Sequence, residues 1–188
     1  ISSHLATPWQ VLAITFTNKA AGELRERLVN AIGEEANDIW AYTFHSCCSR
    51  ILRRFGEKIG YTNHFTIYDT DDSRRVMKQC QKQLGIEDKL INHKSILAEI
   101  SRAKDSLISP EEYKQTAQND FRKSKIAECY ELYQAQLKKS DAMDFDDIIF
   151  NTVKLLEENE DVRNLYQTQF KYVMVDEYQD TNHAQYVL

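Results

Sequence analysis

The sequence is poor in the features that mark membrane spans, disulfide frameworks and linkers. No apolar run approaches the roughly 20 residues that cross a bilayer, so we expect no membrane partner. With only two prolines among 188 residues and no low-complexity segment, no linker is predicted. The four cysteines lack C-x-x-C spacing, which favours reduced thiols and a cytoplasmic protein. A zinc site built with His45 or His64 would lack the paired ligand spacing of such sites.

An excess of basic charge is also missing. Lys and Arg number 24 against 29 Asp and Glu, for a net charge of −5. This balance excludes a diffuse basic surface for nucleic acid, so any such binding must be local. Arg50, Arg53, Arg54 and Lys58 cluster on a predicted helix, where they are either phosphate contacts or a solvated face.

Glycine is scarce, and its positions exclude a phosphate-binding loop. The motif G-x-x-x-x-G-K-[ST] uses glycines to free backbone amides and a Lys to reach phosphates, and none of the five glycines here precedes a Lys. The chain starts at Ile1 and stops at Leu188, shortly after a predicted strand-to-helix turn. We therefore expect a piece of a longer protein.

Strands and helices alternate at the start of the chain. Residues 10–16 and 39–44 are apolar runs typical of strands covered on both faces. Helical apolar spacing follows each strand, over Lys19–Ile32 with a stop at Gly33, and from Cys48 to Ile59 with a stop at Gly60. This alternation predicts an α/β fold with a parallel sheet.

The middle of the chain changes character. From Asp69 to about Ser140 the spacing predicts three amphipathic helices and no strand, a stretch too long for a crossover. A helix over about 144–157, a strand over 171–175 and a helix beginning near Thr181 or Asn182 follow. We predict an α/β domain formed by residues 1–68 and 142–188, with a helical insertion formed by residues 69–141.

Two adjacent acids, Asp176 and Glu177, follow the last predicted strand. The carboxyl ends of parallel strands are where open sheets bind ligands. In nucleotide hydrolases one such acid holds Mg²⁺, usually through water, and the other orients the attacking water. Asp-Glu at a strand end is also a common polar turn.

The longer segments resemble a known family. DEYQDTN (176–182), AITFTNKAAGELRERL (13–28), AYTFHS (41–46) and MDFDDII (143–149) are similar, in order, to motifs of superfamily 1 DNA helicases of the UvrD, PcrA and Rep type. The resemblance implies a partial RecA-like, P-loop NTPase fold: domain 1A without its phosphate loop, plus the helical domain 1B. It implies ATP and Mg²⁺ as cofactors, and 3′ to 5′ motion on single-stranded DNA and at junctions with duplex.

The resemblance also implies roles for individual residues. Asp176 would hold Mg²⁺ through water, Glu177 would activate water, and Gln179 and Asp180 would be linked to the nucleotide. The implied DNA-binding residues are Phe16, Thr17, Asn18, Thr43, Phe44, His45, Ser46 and Phe145. Without the resemblance, the starts of the helices predicted after Thr17 and at His45 still offer amide donors to a phosphate. Phe16, taken without the resemblance, would be interpreted as a core aromatic.

Other interpretations remain open. Asp144, Asp146 and Asp147 are best explained as helix capping, and a nuclease would instead use them with the 176–180 acids as two metal sites. A Ser-His or Cys-His catalytic pair at 45–47 has no orienting acid nearby in sequence. A non-catalytic DNA-binding or partner-docking module and the motor part of a helicase–nuclease also fit. Without a phosphate loop, the chain alone is predicted neither to hydrolyse ATP appreciably nor to unwind DNA.

Overall fold

The computed structural model describes residues 5–118 and 120–188. In chain order its elements are β1 (Val11–Thr15), α1 (Asn18–Ile32), β2 (Trp40–Thr43), α2 (Phe44–Phe55), β3 (Thr66–Ile67), α3 (Thr70–Leu84), α4 (His93–Asp105), α5 (Pro110–Thr116), α6 (Phe121–Lys139), β4 (Ala142–Met143), α7 (Phe145–Glu158), α8 (Glu160–Gln169), β5 (Tyr172–Val175) and α9 (His183–Val187). Short 3-10 turns occupy Pro8–Gln10, Gly33–Asp38, Gly56–Ile59 and Tyr178–Asp180.

The main sheet is parallel and confirms the predicted α/β class. Its strand order is β2-β1-β5, with Ala13 of β1 opposite Ala41 on one side and Met174 on the other. The central strand is buried, as its apolar run predicts. Strand β5 is apolar too, yet Val173 and Met174 are 58% and 56% exposed, whereas β2, at the other edge of the sheet, is largely covered.

Local capping chemistry sets the ends of the helices that follow β1 and β2. Thr17 and Thr43 are the N-caps of α1 and α2, and each side chain accepts a hydrogen bond from a first-turn amide. Gly33 and Gly60 end the predicted helical segments with φ of 73° and 76°, a region that L side chains rarely adopt. Both predicted stops are confirmed.

Helices α3 to α6 pack around a core of their own. Its members include Met77, Cys80, Ile96, Ile100, Tyr130, Tyr133 and Leu137. A second core lies under the sheet and includes Ile14, Phe44, Ile51, Leu52, Ile148 and Leu155. The helical character predicted for residues 69–140 is confirmed, with four helices among the described residues of that range rather than three.

The sequence patterns missed several short elements. The additional helix α5 has seven residues, too few for an apolar stripe, and a Ser109–Glu112 capping box supports it. Helix α8 was also missed. Strands β3 and β4 have two residues each, too short for any alternation, and they pair Thr66 with Ala142 and Ile67 with Met143.

Candidate nucleotide and nucleic-acid site

The three strands of the main sheet deliver the predicted site residues to one edge. Because the strands are parallel, their carboxyl ends lie together, and the register pairs Thr15 with Thr43 and Ile14 with Val175. Residues 16–18 therefore lie between residues 44–46 on one side and residues 176–180 on the other. The fold brings the predicted nucleotide segment and two of the predicted DNA segments to this edge.

Each of the first two segments opens a helix with amide donors. The Thr17 hydroxyl oxygen accepts from the amide of Ala20 at 3.1 Å, and the Thr43 hydroxyl oxygen accepts from the amide of Ser46 at 3.2 Å. A first helical turn has four amides without an intrahelical partner, so capping one leaves donors for an anion. Thr17, Asn18 and Ser46 are exposed, whereas Thr43 is buried.

Two pairs of aromatic rings lie in this region. Phe16 packs edge-on against Phe44, with ring centroids 5.5 Å apart, and His45 lies against Phe145 at 4.8 Å. Phe44 is only 5% exposed and supports Phe16 from the core, whereas Phe145 is 58% exposed. A third predicted DNA segment, at the start of α7, is thus joined to the second through the contact of Phe145 with His45.

The imidazole of His45 is predominantly neutral near pH 7. Burial lowers its pKa from the ordinary value, and the nearby charge of Asp146 and a hydrogen bond with the backbone of Phe145 oppose that shift only in part. The ring beside Phe145 is therefore mainly uncharged.

An acidic capping box opens α7, as predicted. Asp144 Oδ1 accepts from the amide of Asp147 at 2.9 Å, and Asp147 Oδ2 accepts from the amide of Asp144 at 3.2 Å. The structure adds Lys104, whose Nζ lies 2.7 Å from Asp144 Oδ2 and 2.9 Å from Asp147 Oδ1. The capping box is therefore also a buried ion-pair cluster.

Sequence patterns missed Lys104, although they contain a signal for it. Ile96, Ile100 and Lys104 recur every four residues on α4, so the Lys continues an apolar stripe, and its side chain is 0% exposed. A lysine in such a position must be paired, because an isolated buried ammonium is strongly disfavoured.

The three charges of the cluster shift one another's pKa. Burial alone lowers the pKa of Lys104, but the carboxylates of Asp144 and Asp147 outweigh it and the net shift is upward. Burial raises the pKa of Asp144, but the ammonium of Lys104 and several hydrogen bonds bring it below the ordinary value. Burial and the charge of Asp144 raise the pKa of Asp147 to about 6. Tyr133 Oη donates to Asp144 at 3.0 Å and Gln134 Nε2 donates to Asp147 at 2.9 Å.

This cluster argues against a two-metal nuclease. Asp144 and Asp147 are already bonded to Lys104 and to each other's amides. Across residues 5–118 and 120–188, no group of three or more His, Cys, Asp or Glu side chains is arranged to hold a metal ion. The same observation disfavours a zinc site at His45 or His64. All four cysteines are free and buried, in agreement with reduced thiols.

The acidic turn after β5 has a different character. The amide of Asp176 continues the sheet by donating to the carbonyl of Ile14 at 2.9 Å, and both Asp176 and Glu177 are exposed. Glu177 has a φ of 50°, a strained backbone for a residue other than glycine, and its carbonyl accepts from the amide of Asp180 at 2.9 Å. Neither acid forms a salt bridge with a described residue.

The residues at this turn fit Mg²⁺ better than they fit a whole nucleotide. Magnesium is commonly held by one or two carboxylates together with several waters, which Asp176 and Glu177 can provide. The sequence contains no phosphate-binding loop, so this chain does not supply the backbone amides and Lys that hold nucleotide phosphates.

The structure also assigns partners to the basic cluster. Arg53 donates to the carbonyls of Phe65 and Asn63 at 2.6 and 3.1 Å, and Lys58 pairs with Asp161 at 2.9 Å. Arg50 stacks over Trp40 at 4.8 Å. The cluster lies in the later turns of α2 and just beyond, whereas the candidate site lies at the start of that helix. Arg50, Arg53 and Lys58 therefore each contact another part of the described chain.

Comparison with known sequences gives a consistent result. The UvrD/REP helicase N-terminal domain family matches residues 1–188. The chain is 48% identical over 182 residues to the ATP-dependent DNA helicase PcrA of Leuconostoc citreum, and 46% identical over 185 residues to that of Bacillus subtilis strain 168. These matches cover 96% and 98% of the chain but only 24% and 25% of the relatives, so the chain spans about a quarter of their length. Within residues 5–118 and 120–188, no helix has the length and apolar content needed to cross a membrane.

Proposed function

The chain belongs to the UvrD/REP helicase family, and on that basis we propose that it forms most of the first motor domain of an ATP-dependent helicase moving 3′ to 5′ on single-stranded DNA. Residues 1–68 and 142–188 would form domain 1A, and residues 69–141 the inserted domain 1B. The pairing of β3 with β4 supports this division, because it places residues 66–67 beside residues 142–143, next to both proposed boundaries. Single-stranded DNA and its junctions with duplex are the proposed partners, and the cytoplasm is the proposed location.

One observation carries the DNA part of the proposal. Phe145 is 58% exposed and lies on the neutral ring of His45, close to the amide-rich start of α2. An exposed aromatic face stacks on any base, and neighbouring helix N-termini bind the phosphates, so single strands are held without sequence preference. Phe16, Thr17, Asn18 and Ser46 complete the proposed DNA surface, and the buried residues Thr43 and Phe44 would support it from beneath.

The proposed nucleotide part lies at the adjacent strand end. Asp176 would hold Mg²⁺ through water, and Glu177 would orient the attacking water and accept its proton. Gln179 and Asp180 lie on the same turn and are proposed to be linked to the nucleotide. ATP with Mg²⁺ supplies the phosphoryl group and the charge neutralisation when bound. The strained backbone at Glu177 supports a functional turn.

The full-length gene product provides the test of this function. We expect poly-dT to stimulate its ATPase, and Glu177→Gln to lower kcat by at least about 100-fold, the usual contribution of a general base. Poly-dT affinity should stay within twofold, because the change lies outside the proposed DNA surface. Glu158→Gln, an exposed acid at the end of α7, is the matched control.

Two results would overturn this proposal. Unchanged turnover in Glu177→Gln would remove the assigned base, and absence of DNA-stimulated ATPase in the wild type would favour a non-catalytic DNA-binding or docking module. The 188-residue chain assayed by itself should show no appreciable turnover, and turnover comparable to that of the full-length protein would contradict the need for a phosphate loop.

A further inference from the structure

Two adjacent residues at the end of α4 contact two different parts of the candidate site. Lys104 pairs with Asp144 and Asp147 at the start of α7, the helix that begins with Phe145. Asp105 Oδ1 accepts a hydrogen bond from Asn182 Nδ2 at 2.7 Å. Lys104 and Asp105 themselves lie outside the four motifs that carry the family resemblance.

Asn182 ties Asp105 to the acidic turn. Its own Oδ1 accepts from the amide of Gln185 at 2.8 Å, so Asn182 is the N-cap of α9 and its amide group is left to reach Asp105. Asn182 follows the 3-10 turn Tyr178–Asp180 after one residue, and that turn begins directly after Glu177. The position of the turn is therefore fixed at both ends, by β5 and by α9.

The end of α4 thus connects the two proposed functional parts. Successive residues on a helix point about 100° apart, so Lys104 and Asp105 reach different neighbours from one rigid element. The contacts span 40 and 77 residues in sequence, and both leave the helical region for the α/β region. A shift of either neighbour requires α4 to follow it or a charge-assisted hydrogen bond to break.

We propose that Lys104 and Asp105 are positioning residues that couple occupancy of the Phe145 surface to turnover at the Glu177 turn. This inference rests on the proposed function. The helical region then does more than support the fold, because its helix α4 holds the DNA surface and the acidic turn in one fixed relation. Coupling of this kind is a free energy shared by two sites, and it is lost when the connecting contact is removed.

The test of the Asp105 contact uses two substitutions in the full-length gene product. Asp105→Ala removes the acceptor, whereas Asp105→Asn keeps an oxygen that can accept from Asn182. Since a hydrogen bond to a charged group is worth about 10-fold or more, we expect Asp105→Ala to lower the ratio of DNA-stimulated to basal ATPase by about 10-fold. Oligo-dT affinity without nucleotide should remain within twofold, and Asp105→Asn should restore most of the ratio. Glu99→Ala, on the same helix and paired with Arg102, should leave the ratio unchanged.

A double-mutant cycle separates coupling from loss of stability. Asn182→Ser keeps a capping oxygen for α9 but lacks the amide donor, so it should lower the ratio as Asp105→Ala does. The double variant should be no worse than either single variant, because both remove the same contact. Full retention of the ratio in Asp105→Ala, or equal loss in Asp105→Asn, would overturn the inference alone. Absence of stimulation in the wild type would overturn the proposed function with it.

The Lys104 contact needs a variant that keeps the charge of the cluster. Lys104→Met combined with Asp147→Asn removes one charge of each sign, so no carboxylate beyond Asp144 is left unpaired. We expect this folded variant to quench an oligonucleotide carrying 2-aminopurine as weakly as Phe145→Ala does, because the start of α7 is no longer held in place. Quenching equal to that of the wild type would show that Lys104 does not position Phe145.

Discussion

Replacing Lys104 by Met tests the buried cluster at its centre. The side chain is 0% exposed and its ammonium pairs with both Asp144 and Asp147, which are 11% and 0% exposed. Met has a similar length and no charge, so the change removes the ammonium and leaves two carboxylates facing each other in the interior. Breaking a buried pair by removing one partner costs about 3–5 kcal/mol.

An independent estimate gives the same magnitude. Without the ammonium, at least one carboxylate must fold in its protonated form, and protonating an Asp of ordinary pKa about 3.9 at pH 7 costs about 4 kcal/mol. The loss should therefore depend on pH. As the pH falls from 7 to 5, the free energy of unfolding of the variant rises by about 1.4 kcal/mol for each pH unit. The free energy of unfolding of the wild type rises mainly over the one pH unit below the Asp147 pKa of about 6. The loss at pH 5 should be smaller than the loss at pH 7 by more than about 1 kcal/mol.

Urea unfolding of the 188-residue chain, followed by far-UV circular dichroism and by tryptophan fluorescence, measures both quantities. Lys94→Met is the matched control, because Lys94 is exposed on the same helix and its loss should change the unfolding free energy by less than about 0.5 kcal/mol. A loss below about 1 kcal/mol for Lys104→Met at pH 7, or a loss independent of pH, would refute the assignment of a buried ion-pair cluster.

Three further predictions concern Phe145, Asp147 and the cysteines. Phe145→Ala in the full-length gene product should weaken oligo-dT binding by about 5- to 150-fold, since stacking on one base is worth about 1–3 kcal/mol. Phe121 is an exposed aromatic on α6, and Phe121→Ala should leave the affinity unchanged. Equal affinities of Phe145→Ala and the wild type in a fluorescence titration would contradict the stacking role. Asp147 has a folded pKa of about 6, above its ordinary value, so its protonation stabilises the fold fully below that ordinary value, and this stabilisation is lost as the pH rises through 6. Relative to Asp147→Asn, the wild type should therefore lose unfolding free energy between pH 4 and pH 7. Parallel plots of unfolding free energy against pH for the two proteins would contradict this. Burial raises the thiol pKa of Cys47 and Cys129 to about 12 and that of Cys80 to about 11. Ellman's reagent should therefore label no cysteine of the native chain within minutes, and it should label all four in urea. Rapid labelling of the native chain would show that the thiols are accessible.

Much of the architecture follows from local patterns in the sequence. The strands 10–16, 39–44 and 171–175 were predicted within one residue at each end. A short apolar run bounded by capping residues is seldom anything other than a strand. Thr17, Thr43 and Asp144 cap helices in the structure, and capping depends only on residues three positions apart. These short-range rules place the candidate residues at strand ends without reference to tertiary packing.

The roles of the predicted site residues stay predictions, but their mutual placement required the tertiary structure. The contact of His45 with Phe145 joins residues from α2 and α7, and no local pattern specifies that pairing. The exposure of β5 also escaped the sequence, because its apolar run has the same character as that of the buried strand β1.

The sequence by itself determined the parallel α/β fold, the helical middle region and the family, because each rests on periodicity, capping and ordered motifs within short windows. Only the tertiary structure decided that Lys104 pairs with the cap of α7 and that Asp105 accepts a hydrogen bond from Asn182. Those contacts join residues 40 and 77 positions apart, and their strength comes from burial and exact atomic distance, which a linear pattern does not contain.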